Sequence, residues 1–107
     1  MTIDNEMDNI YYKHTWTLID PQHQLVTRNY YEAVINGVTE RQVIEEDGSL
    51  YWSTSSAEKC ADFPFTEKPE FTPADVEALR EHAGLTEVTQ AQFDALWHES
   101  GATEAMG

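Results

Sequence analysis

Two dipeptides, Asn36-Gly37 and Asp47-Gly48, constrain this chain more than anything else in it. Both central residues of a type I′ turn need positive φ, which Gly adopts freely and Asn or Asp tolerate. Each pair, set between apolar runs, therefore marks a two-residue hairpin. Such loops also fix which residues face one another. Counting out from Asn36-Gly37 pairs Ile35 with Val38, Glu32 with Arg41, and Tyr30 with Val43. Counting from Asp47-Gly48 pairs Val43 with Trp52 and Ile44 with Tyr51. Glu32 and Arg41 would then be opposite charges directly across a ladder, which supports that register by less than about 1 kcal/mol.

Upstream, IYYKHTWTLI (residues 10–19) alternates. Ile10, Tyr12, His14, Trp16 and Leu18 share one side, while Tyr11, Lys13, Thr15, Thr17 and Ile19 share the other. Period two in aromatic and β-branched residues argues for a half-buried strand. DPQHQ then turns the chain, and Pro21 has no N–H to give a ladder. The expected sheet is a four-stranded antiparallel meander near 10–19, 25–35, 38–46 and 49–54. The count puts Tyr30, Val34, Val43, Leu50 and Trp52 on one face, and Tyr31, Ala33, Ile35, Val38, Ile44 and Tyr51 on the other. Both faces are partly apolar. If two helices cover only one, the other is either covered by a loop or the N-terminal segment, or left open. In the open case Tyr31, Ile35, Val38, Ile44 and Tyr51 form a surface for a partner or a second copy.

The segment FTPADVEALREHAGLTEVTQAQFDALWHESG (residues 71–101) repeats with a period of 17: Phe71-Thr72-x-Ala74 aligns with Val88-Thr89-x-Ala91, and Gly84 with Gly101. Each copy has a Thr N-cap, an acid or amide three residues on, and an apolar residue before the cap to staple the first turn. Pro73 suits the first helical position, and each glycine suits the left-handed residue that ends a helix. The spacing predicts helices over 73–83 and 90–100. Their buried stripes are Val76, Leu79 and Ala83 on the first, and Phe93, Leu96 and Trp97 on the second.

TPADVEALREHAGLT followed by QAQFDALW resembles the first two helices of repressor-type helix-turn-helix domains. That resemblance would imply a third, groove-reading helix rich in basic or amide side chains. Residues 71–107 offer Arg80 alone against seven acids, with Glu87, Gln90 and Asp94 where a groove-facing surface would be. Affinity for DNA comes mainly from cationic contacts, so an αα-hairpin packed on one sheet face is the expectation. The fold class expected is α+β: the meander (10–54), a linker (55–71) and the helical hairpin (72–101) in a single domain over 10–107. An acidic, flexible tail is expected over residues 1–9.

Charge decides among functions. Six Lys+Arg against 20 Asp+Glu give −14, spread along all 107 residues. That field repels nucleic acid and anionic membrane and attracts a basic partner. No apolar run suggests a membrane span. The acidic start lacks the character of a secretory signal, and the single Cys60 has no disulfide partner, so a cytoplasmic home is expected. Cys60 beside Lys59 reads either as a reactive thiol or as a small apolar residue.

His14, His23, His82 and His98 lack metal-ligand spacing, and no phosphate loop or nucleophile with a visible base is present. His14 reads as a satisfied core or edge histidine. No catalytic, metal or cofactor-binding residue is expected. The expected function is a small acidic protein-binding module, an inhibitor of the phage or mobile-element kind. It would occupy a basic, nucleic-acid-binding surface of another protein through Asp75, Glu77, Glu81, Glu87 and Asp94. The alternative is an assembly protein that forms a homodimer through the open sheet face.

Overall fold

Both glycine turns form as the sequence dictates, with φ of 54° and 77° at Asn36 and Gly37 and of 54° and 81° at Asp47 and Gly48. The structure, a computed structural model, describes residues 9–103. Its strands are β1 (Asn9–Ile19), β2 (Leu25–Ile35), β3 (Val38–Glu46), β4 (Ser49–Ser53) and β5 (Thr86–Val88), with helices α1 (Pro73–Ala83) and α2 (Gln90–Glu99). Of the acidic tail expected over 1–9, Asn9 already belongs to β1, and residues 1–8 lie outside the described ones.

The sheet is antiparallel, with strand order β4-β3-β2-β1-β5. It therefore has five strands where the sequence suggested four. The fifth comes from the spacer between the helices: Thr86 faces Lys13 and Val88 faces Tyr11. Three residues paired only to a distant strand carry no local signature, so they read as a turn.

A second correction concerns register. Val34 faces Thr39 while Ala33 faces Arg41, so Glu40 is an unpaired extra residue, a β-bulge in β3. Beyond it every pairing of β2 with β3 moves by one: Glu32 faces Gln42 rather than Arg41, and Tyr30 faces Ile44 rather than Val43. A one-residue shift exchanges faces. Tyr31 and Ala33 thus join Val43, Trp52 and Leu50, whereas Tyr30 and Val34 join Ile44 and Tyr51. The β3–β4 pairs Val43–Trp52 and Ile44–Tyr51 stand as the turn count gave them.

The two helices lie on opposite faces, not together on one. Phe93 and Trp97 of α2 pack in a buried cluster with Tyr11, Ala33, Val43 and Trp52. Val76 and Leu79 of α1 pack instead with Tyr12, Val34, Leu85 and Phe71. Tyr11 and Tyr12 are neighbours in a strand, so their side chains point to opposite sides. The cause is β5: by joining the edge of the sheet, it carries the chain from one face to the other.

The helix boundaries follow the capping grammar. Thr72 and Thr89 each close a capping box, with Asp75 and Gln92 as the reciprocal partners. Gly84 ends α1 at φ 62°. Gly101, at φ 92°, follows α2, which stops at Glu99, one residue earlier than expected.

The linker between β4 and α1 lies across the α1 face. Phe63 stacks on Tyr51 with centroids 3.9 Å apart, and Phe71 stacks on Tyr12 at 5.1 Å. Thr66 N–H donates to Gln42 Oε1, Thr39 N–H to the Pro69 carbonyl, and Phe71 N–H to the Gly37 carbonyl. A loop thus covers much of the face that two helices on one side would have left open. Among the described residues no helix is long and apolar enough to cross a membrane.

Candidate functional site

The sheet residues expected to form one exposed patch do not share a surface. Tyr31, Ile35 and Val38 belong to the α2 face, whereas Ile44 and Tyr51 belong to the α1 face. Ile44 is buried and Tyr51 lies under Phe63. The bulge separates these groups, and the turn count could not register it.

The acids expected to meet a partner are also divided by the sheet. Glu77 and Glu81 are exposed on α1, and Glu87 is exposed on β5 opposite Tyr12, on the same side. Burial, and then the nearby Glu87 charge, raise the Tyr12 phenol above its ordinary pKa, while Arg80 opposes them. Asp94 lies on the α2 side, 3.6 Å from Arg41. Asp75 is committed to its own helix: its carboxylate accepts from Thr72 N–H and Oγ1 at 2.9 Å and from Lys68 Nζ at 3.1 Å. The Thr72 backbone bond first, and Lys68 next, hold its pKa below the usual aspartate value.

Apart from the exposed Arg80 on α1, the cations make contacts within the fold. Arg41 lies over the rings of Phe93 and Trp97, and Arg28 lies over Phe63 while bonding Glu46. Burial works against the Arg28 charge, but its bonds to Glu46 and Tyr30 outweigh that and raise its pKa. Lys59 donates to the carbonyls of Leu50 and Ser100, and Lys68 binds Asp75. Lys59 is thereby drawn away from any role as partner to the half-buried Cys60 thiol.

On the α1 face the sheet, linker and helix enclose a cleft of about 480 Å³. Its floor holds a buried polar chain. Trp16 Nε1–H donates to His14 Nδ1 at 2.9 Å, His14 Nε2 bonds Glu32 Oε2, and Thr39 Oγ1 donates to Glu32 Oε1 at 2.9 Å. A ring nitrogen that accepts from an indole N–H carries no proton, so this network assigns the imidazole proton to Nε2 and leaves His14 neutral. Both Glu32 oxygens accept, as a carboxylate's do. His14 also stacks on Tyr30, with centroids 5.2 Å apart and planes within 9°.

The period-two pattern of β1 placed His14 and Trp16 on one side and cast His14 as a satisfied histidine, which it is. Its partner was hidden, because the turn count gave Glu32 to Arg41. Among the described residues no group of three or more His, Cys, Asp or Glu side chains is placed to hold a metal ion. Comparison with protein-family models, curated proteins and solved structures finds no match to this chain.

Proposed function

We propose that the protein is a small acidic binding module that occupies a basic surface of a partner protein, in the manner of an inhibitor that stands in for nucleic acid. The finer reading, an inhibitor of the phage or mobile-element kind, belongs to the same proposal. One observation carries it: most cations sit over aromatic rings, on backbone carbonyls or on a capping carboxylate, while Glu77, Glu81 and Glu87 stay exposed on one side of the sheet. Arg80 is the one exposed cation beside Glu77 and Glu81 among the described residues. In a chain whose net charge is −14, the carboxylates of that side thus meet little local compensation beyond Arg80. Such a field speeds encounter with a cationic patch and rejects anionic ones.

The acidic surface lies on the α1 and β5 side and excludes Asp94, which serves Arg41. Affinity capture at low and high salt, followed by measurement on the isolated pair, tests this. Binding should weaken steeply with salt, as interactions between exposed charges do. Reversing Glu77, Glu81 and Glu87 to Lys should abolish it, while Asp94→Asn should change it little. A captured partner that binds the triple reversal as well as the parent would sink the proposal.

A further inference from the structure

The cleft on the α1 face has a use separate from the acidic surface. We propose that it binds a small organic cation, an amine or amidine carried on an apolar or aromatic body. The walls supply the body's environment: the half-buried rings of Trp16, Tyr30 and Phe71, with Leu79 from α1. The floor supplies the charge. Glu32 is ionised, and its neighbour His14 is neutral because Trp16 donates into its ring. The floor pair therefore keeps one full negative charge.

Each Glu32 oxygen has accepted one hydrogen bond, and a carboxylate oxygen has a second lone pair to offer a ligand N–H. Lys68, the cation of the lining, is neutralised by Asp75 at 3.1 Å, which leaves Glu32 and Glu70 unbalanced. Aromatic rings favour a cation over an anion of equal size, and a partly desolvated carboxylate does so more strongly. A volume of about 480 Å³ lies in the ordinary range for small-molecule sites. This inference stands independently of partner binding, since Glu77, Glu81 and Glu87 take no part in it.

The test is an NMR titration that follows the Trp16 indole N–H, with three probes of one shape: phenethylamine, phenethyl alcohol and phenylacetate. The amine should give a saturable shift, the alcohol should bind at least about tenfold more weakly, and phenylacetate should not saturate by roughly millimolar concentration. Glu32→Gln removes the charge but keeps the shape, its amide oxygen accepting from His14 and its NH2 donating to the Thr39 hydroxyl oxygen. It should bring amine and alcohol within about threefold of each other. Glu99→Lys, on α2 beyond the sheet, makes the net charge two units less negative and should leave the preference intact. If Glu32→Gln fails to fold, Ala78→Lys places a cation at the cleft from an exposed helix position and should abolish amine binding. The proposal is overturned if the amine does not saturate or if phenylacetate binds as well. It is equally overturned if the preference survives both Glu32→Gln and Ala78→Lys, or falls as much in Glu99→Lys as in Glu32→Gln.

Discussion

The two helices begin alike and end up packed very differently. Each opens on a threonine cap with a reciprocal partner three residues on, and each carries an apolar stripe. Yet α2 seals its face, with Phe93 fully buried and Trp97 nearly so, whereas α1 buries only Ala83 and leaves Val76 and Leu79 half covered. Capping fixes where a helix starts; the size of its inward side chains fixes how closely it can seat. Two aromatic anchors fill the space above one face. Branched aliphatics above the other leave the cleft, and the linker closes only part of the gap.

The largest effect should come from breaking the tight side. Phe93→Ala should lower unfolding free energy by about 4 kcal/mol in a urea titration, the usual cost of removing a buried aromatic. Val76→Ala, on the loose side, should cost roughly 1 kcal/mol. Equal losses would show that the two faces are packed alike after all. Next, His14→Ala removes one of two donors to the buried Glu32 carboxylate and should cost about 2 kcal/mol. Its chemical-shift changes should be confined to the cleft and spare the Trp52–Trp97 side.

The caps should behave as equals. Thr72→Ala and Thr89→Ala should each cost about 1 kcal/mol, because each removes the cap's bond from the third helical N–H. The further bond of the Thr72 hydroxyl to Asp75 is exposed and adds little. A cost for one well above the other would mean that capping and packing are coupled. The smallest effect separates the boxes by chemistry, since α1 uses Asp75 where α2 uses Gln92. The folded pKa of Asp75 lies below its unfolded value. Its contribution is therefore present above the ordinary aspartate range and is lost as pH falls through that range to the depressed value. Amide hydrogen exchange on acidification should show the first turn of α1 loosening before that of α2. Asp75→Asn should remove the difference.

Where local chemistry rules, the sequence was readable. The four turn residues, both capping boxes and the alternation in β1 depend on neighbours within a few positions, and each took the form read from it. The departures are non-local. β5 exists because β1 offers Thr86–Val88 an open edge, and nothing within those three residues announces it. The opposite placement of the helices follows from that edge crossing. The buried chain at the cleft floor needed the pairing of β2 with β3, which a count through an uninterrupted ladder could not supply.

The extra residue at Glu40 also bears on how the cleft's charge depends on chain length. With Glu40 in place, Arg41 is delivered to the α2 side over Phe93 and Trp97, and Glu32 meets Gln42 across the ladder and Thr39 through its side chain. Deleting that one residue would close the bulge and leave Ala33 facing Arg41 and Glu32 facing Gln42, the pairs already formed. The loss of a single codon there would therefore leave the anionic cleft floor as it is, and Arg41 on the other side of the sheet. The bulge thus holds a spare residue: the strand can shorten by one there without changing the charge a ligand would meet.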